Sequence, residues 1–229
     1  MAKGGSGFRR GGLAEHVYAH VKEQVLDGVY PRDNWLLVEQ IAASLEVSRQ
    51  PVMDALKRLS IEGFITIIPQ VGCRIRSYTV EEITDFYRLF AEGEGLVAEL
   101  AAERASEQDV LTLQVISAQI GALTGQSLPA AELSRQYRNL NRRLHFEIRR
   151  IARSSPLTEV VETLGDRSDF FIATADAPVF AERVRTAHDE HTDIIQAIIA
   201  RQPQQARAMM QRHIAATSER LRAALEAAH

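Results

Sequence analysis

VSRQPVMDALKRLSIEGFI, from Val47 to Ile65, reads as a helix with one side to bury and one to present. Ser48 is placed to act as N-cap, and Pro51 falls in the first turn, where a missing N–H costs nothing. Val52, Ala55, Leu56, Leu59 and Ile61 recur at helical spacing and predict an inward stripe. Ser48, Arg49, Gln50, Met53 and Lys57 are left to face outward.

The residues on either side turn this helix into part of a motif. Leu13 to Tyr30 carries Ala14, Val17, Tyr18, Val21, Val25 and Leu26 at helical spacing and stops at Asp27-Gly28 and Pro31. Leu36 to Leu45 predicts a short second helix, with Ile41, Ala42 and Leu45 inward, and Glu46 makes a tight turn into the third. Ile65 to Ile68 and Cys73 to Arg76 flank Pro69-Gln70-Val71-Gly72 and read as a hairpin. Three helices closed by a hairpin form a winged helix-turn-helix, whose second turn helix enters the DNA major groove. The same packing also serves small helical domains that bind protein.

The chain has 229 residues, enough for one or two domains with a sizeable core, and its apolar runs are too short to cross a bilayer. The start, MAKGGSGFRRGG, lacks the apolar segment of a secretory signal, so residues 1–12 are expected to be a disordered basic arm on a cytoplasmic protein. The single cysteine, Cys73, rules out an internal disulfide and a thiolate metal cluster. The net charge of −3 argues against indiscriminate polyanion binding. Residues 1–76 hold 10 Lys+Arg against 8 Asp+Glu, an excess that Lys3, Arg9 and Arg10 supply. DNA binding would therefore rest on a few placed cations.

From Ser77 the pattern becomes helical throughout, opening with the capping-box signature Thr79-x-x-Glu82. Helices are expected at about 80–105, 107–124, 130–153, 156–175, 178–201 and 203–227, bounded by Ser106, Gly125 and three prolines near first turns. The fold class is thus mainly α. A winged helix-turn-helix over 13–76 precedes an antiparallel bundle of six to seven helices over 77–229.

Three inward stripes of this bundle carry imidazoles. Tyr137, Asn141, His145, Ile148 and Ala152 share a face of one helix, Val184, Ala187, His188, His191, Ile194, Ile195 and Ile198 of another, and Ala206, Met209, Met210, His213, Thr217, Leu221 and Leu225 of a third. A buried imidazole needs partners, and one divalent ion could satisfy all three. Neutral imidazole suits zinc, nickel, copper or iron(II). A cluster of core histidines without metal fits the same pattern. His188 lies one turn before His191 and is a weaker candidate, whereas His16, His20 and His229 lack such a context.

Ser48-Arg49-Gln50-Pro51-Val52 through Ala55-Leu56, with Glu62-Gly63 and the wing Gly72, resembles the N-terminal domain of GntR-type transcription regulators. The second part resembles the all-helical FCD ligand domain of their FadR branch. Arg88-x-x-x-Glu92 with Leu100-Ala101-Ala102 is similar to that domain's first helix, and Asn141, His145, His191 and His213 to its metal-ligand positions.

The resemblance implies DNA contacts from Ser48, Arg49, Gln50, Lys57 and Gly72. It also implies a divalent transition metal, zinc or nickel foremost, held by Asn141, His145, His191 and His213. A small organic acid would complete the metal's shell with Arg88 as second anchor, and the protein would be a homodimer on a palindromic operator. Asparagine at position 141, where the family often has aspartate, would leave the ion's charge uncompensated and favour an anionic effector. Val38-Glu39, Met53 and Val71 stand where family members commonly carry Glu-Arg, arginine and a basic residue. Losing those cations would lower affinity and its salt dependence, so either the operator differs from the usual family site or the arm with Arg9 and Arg10 supplies compensating contacts. The rival from another class is a metal-dependent hydrolase using the three histidines, with Asp189 or Glu190 as base, although their stripe position predicts that both face outward.

Overall fold

A computed structural model describes residues 10–175 and 184–227, which divide into two compact units after Tyr78. The expected arm up to Arg9, the helix start at Pro178 and His229 lie outside the described residues.

The first unit contains helices α1 (Arg10–Leu26), α2 (Val38–Ser44) and α3 (Arg49–Ile61), with strands β1 (Trp35–Leu36), β2 (Ile65–Ile68) and β3 (Gly72–Ile75). Helix α1 already begins at Arg10, within the segment expected to be a disordered arm. Val17, Val21 and Val25 of α1 meet Val52, Leu56 and Leu59 of α3 in a core that excludes water. Burial of these branched side chains stabilises the unit by about 1.5–3 kcal/mol each. Ile61, expected inward, is 86% exposed, because α3 ends there and Phe64 fills the core instead.

Leu36 was expected to begin the second helix but forms a strand with Trp35. Trp35 and Leu36 pair antiparallel with Arg74 and Cys73, which makes β3 the centre of a sheet ordered β1-β3-β2. Two alternating positions are too few for periodicity to reveal. Glu46 takes a left-handed φ of 53° in the turn between α2 and α3, and Val47 N donates to Ala42 O across it at 2.9 Å.

The second unit is helical throughout its described residues. Helices α4 (Val80–Arg104), α5 (Glu107–Leu123), α6 (Ala130–Ile151), α7 (Ser155–Thr174), α8 (Val184–Ile199) and α9 (Pro203–Ala227) follow in chain order. Thr79 and Ser106 each form a complete capping box, with Glu82 and Asp109 respectively. Helix α4 is the central element and packs on α6, α7, α8 and α9. Its buried side runs through Ile83, Tyr87, Phe90, Glu94, Val97, Ala98 and Ala101, and includes a carboxylate where an apolar residue would be ordinary.

Candidate functional site

On the first unit the outer side of α3 is the presented surface. Ser48, Arg49, Gln50 and Lys57 are exposed, as their spacing predicts, while Met53 is half-buried. The polar groups here are paired with acids of the same unit. Arg49 Nη1 lies 3.1 Å from Glu39 Oε1, Gln50 Nε2 donates to Asp54 Oδ1 at 2.9 Å, and Lys57 Nζ stands 3.7 Å from Asp54. Arg58 instead braces the helix from behind, held by Glu15 and Glu62 and laid over the Tyr18 ring at 3.5 Å. In the wing, Gly72 sits beneath Trp35, where an added Cβ would come within 3.3 Å of the indole, and Val71 projects at the tip, 67% exposed. Gly72 thus shapes the wing through its lack of a side chain.

In the second unit, His145 of α6, His191 of α8 and His213 of α9 converge. All three are buried, and one ring nitrogen of each lies within 4.8 Å of the other two. His191 Nε2 and His213 Nε2 are 3.1 Å apart. His213 Nδ1 meets Glu190 Oε2 at 2.6 Å, and Arg220 lies against the same carboxylate at 3.3 Å. Glu190 is held below the usual carboxylate range: burial opposes this, but His213 and Arg220 outweigh it. An ionised Glu190 accepts, so His213 Nδ1 carries the proton and its Nε2 presents a lone pair toward His191.

Burial also lowers the imidazole pKa values of His213 and, further, of His191, where the neighbouring imidazoles add to the effect. Both rings are therefore neutral donors of the type divalent transition metals take. Tetrahedral coordination at Zn–N distances near 2 Å separates ligand nitrogens by about 3.3 Å. The 3.1 Å approach and the 4.8 Å limit bracket that figure, so the residues fit such an ion.

Sequence reasoning placed the three histidines but missed the acids behind them. Glu190, expected to face outward, turns to His213, whereas Asp189 is exposed as expected. Glu94, with no exposed surface, lies 3.4 Å from His145 Nδ1 and accepts from Arg149 Nε at 3.0 Å. Burial alone would raise the Glu94 carboxyl, and the Arg149 guanidinium and His145 hold it well below its ordinary value. Two carboxylates thus stand behind two of the imidazoles and would orient those rings toward an ion, while each also pairs with a guanidinium, Arg149 or Arg220. The signal for Glu94 was present in the sequence: it stands one turn after Phe90 and one before Ala98, on the α4 apolar stripe.

Arg88 does not face the bundle interior. Its side chain is 81% exposed and pairs with Asp85 at 3.4 Å, because Tyr87 and Phe90 take the inward positions and leave residue 88 about 100° round the helix. Glu92 likewise pairs at the surface with Arg207. The cavity beside the histidines, about 180 Å³, is lined instead by Phe90, Asn141, Arg142, His145, Arg149 and His213 together with residues of α7. Asn141 Oδ1 accepts weakly from Tyr137 Oη at 3.4 Å and is one turn from His145. Gly165 of α7 makes room for the Arg149 guanidinium, whose Nη1 would stand 3.1 Å from an added Cβ. His188 packs against Gly121 of α5, apart from the three converging rings.

Comparison with known proteins places both units. Residues 13–75 match the bacterial regulatory proteins, gntR family, and residues 85–216 match the FCD domain. The chain is 26% identical over 175 residues to the Nta operon transcriptional regulator of Aminobacter aminovorans, covering 76% of this chain and 78% of that protein. It is 23% identical over 202 residues to the HTH-type transcriptional repressor GlaR of Escherichia coli (strain K12), covering 86% and 90%. Among solved structures, E. coli McbR/YncC superposes with a TM-score of 0.73 at 22% identity, over 90% of this chain and 97% of that one. A putative GntR regulator from Rhodococcus sp. RHA1 gives 0.70 at 15% identity, over 91% and 96%. Both structural likenesses bear on the fold alone. These families and relatives are regulators of transcription, which sets the hydrolase alternative aside. A gntR-family winged helix followed by an FCD domain makes this chain a member of the GntR family of DNA-binding transcriptional regulators.

Proposed function

We propose that the helical unit senses a small organic acid through a divalent transition metal, zinc or nickel foremost, bound by His145, His191 and His213 with Asn141 as fourth ligand. The observation that carries this reading is the convergence of three buried ring nitrogens within 4.8 Å beside a cavity of about 180 Å³. When bound, the metal supplies a Lewis-acidic anchor for a carboxylate oxygen. Phe90, Ile172 and Ile214 give the cavity an apolar surface for the remainder of the ligand. Arg88 has no part in it.

The regulator acts in the cytoplasm as a homodimer, since two-fold symmetry suits a palindromic operator, with Ser48, Arg49, Gln50 and Lys57 toward the DNA and the Gly72 wing beside them. No helix among the described residues is long and apolar enough to cross a membrane. The effector must favour one arrangement of the two units, because a ligand indifferent to them shifts nothing. The segment Ile75 to Thr79, which spans the boundary after Tyr78, is the proposed hinge.

Fragments of the source genome selected on the full chain provide the operator for the test. Retention of such a fragment by metal-loaded protein, changed at least about tenfold by a small carboxylate and unchanged by it after chelation, is the expected result. Equal responses with and without metal would overturn the metal's role.

A further inference from the structure

The presented side of α3 begins with an arginine that is matched to a carboxylate. Arg49 is the first residue of α3 and Glu39 lies in the first turn of α2, and the packing of these helices leaves Arg49 Nη1 3.1 Å from Glu39 Oε1. Both side chains are exposed, and an ion pair of that kind adds little to stability. Further along α3, Asp54 answers Gln50 and Lys57 in the same way. The charges of Arg49 and Lys57 on this side are thus cancelled by Glu39 and Asp54.

A surface balanced in this way gains little from phosphates, because that attraction grows with the number of cations set against them. In a helix-turn-helix the start of the second helix meets base edges. A carboxylate held there is repelled by phosphate and needs a hydrogen-bond donor, and the major groove offers it two, cytosine N4 and adenine N6.

Arg49 and Glu39 present a donor and an acceptor side by side. Guanine O6 and cytosine N4 of one base pair present an acceptor and a donor side by side, joined by an N–H···O bond and so about 2.9 Å apart. That spacing matches the 3.1 Å of the ion pair. Thymine O4 with adenine N6 offers the same two groups, but a methyl group then replaces guanine N7 on the arginine side. The two reversed pairs set donor against donor and acceptor against acceptor.

We propose that Glu39 is a specificity-determining residue of the DNA interface, and that Arg49 and Glu39 together read one G·C pair in each half-site. Arg49 takes guanine O6 and N7, and Glu39 accepts from cytosine N4. This rests on the reading that turns the outer side of α3 to the DNA. Glu39 also acts by exclusion: away from a matching pair its charge is unanswered, which weakens binding to unrelated sequence.

Selection by the full chain from a randomised duplex library yields the preferred site for the test. Fluorescence-anisotropy titration of duplexes carrying each of the four pairs at every position of a half-site then measures the ranking. At one position the parent chain is expected to rank G·C first and T·A second, with both reversed pairs at least about tenfold weaker than G·C. E39Q is expected to narrow that ratio at this position alone and to bind an unrelated duplex at least about threefold more tightly than the parent at low salt. R49A separates the two levels. If R49A binds every duplex as the parent does, the start of α3 does not face the DNA, and the underlying reading falls together with the inference. If R49A weakens binding but E39Q leaves the ranking unchanged at every position, the inference alone falls. A selected site in which no position prefers G·C over its reversed pair overturns the inference as well, and a library from which no sequence is enriched overturns both.

Discussion

Arg149 and Glu94 show what a single buried residue contributes. The Glu94 carboxylate has no exposed surface and takes both its Oε1 contacts from Arg149. Arg149→Met would leave a buried carboxylate without its guanidinium, a defect that costs about 3–5 kcal/mol. Urea denaturation should show that loss, and the further change Glu94→Gln should recover most of it, since an apolar and amide pair leaves no orphaned charge. Glu190 is different, because its carboxylate orients a ring that faces the cluster. Glu190→Gln removes the charge that fixes the His213 tautomer and is expected to weaken metal binding by about 10–100-fold in competition with a chelating dye, with little change in fold. An unchanged affinity would show that Glu190 serves packing alone.

Among the elements, α3 and α5 carry separate predictions. The cations of α3 are few and already paired, so each counts. Arg49→Ala should lower operator affinity by about 1–3 kcal/mol if the side chain reads a base, whereas a uniform loss with a salt slope shallower by about one marks a phosphate contact. Asp109 closes the α5 capping box and also receives Arg150 at 2.6 Å and Arg153 at 3.0 Å. Burial pulls its pKa upward, but the Ser106 backbone and hydroxyl and Arg150 bring it down to about 2. A carboxyl whose folded pKa lies below its unfolded value stabilises the fold at neutral pH and loses that effect as pH falls toward about 2. Asp109→Asn should therefore cost about 2 kcal/mol near neutrality, and the gap from the parent chain should close in acid.

These elements were unequally legible in the sequence. Helical stripes gave α3 through α9, because apolar residues repeating over several turns leave one consistent face, and they gave His145, His191 and His213 as members of such faces. The strand at Trp35–Leu36 was hidden by its length, and Arg88, expected as the effector's second anchor, falls on the outer side of α4. Arg88 and Glu92 looked like a motif pair, yet the turn of the helix gives the interior to Tyr87, Phe90 and Glu94. Glu190 was hidden for another reason. Its position on α8 is half outward, and only the packing of α9 against α8 brings His213 within 2.6 Å of it.

At the scale of the whole molecule, the chain divides after Tyr78 into a winged helix and a helical bundle, and coupling between them requires a ligand that distinguishes two arrangements. The proposed ligand site draws on α4, α6, α7, α8 and α9. An ion at its centre would bind the folded state and not the unfolded chain, and would raise stability by mass action. The proposed response therefore depends first on the ion. Elemental analysis of the full chain, purified without nickel resin, should find about one equivalent of a divalent transition metal per chain, and the same measurement on His191→Ala should find that equivalent lost. Less than about a tenth of an equivalent in the parent chain, or an undiminished content in His191→Ala, would contradict the metal centre on which the reading rests.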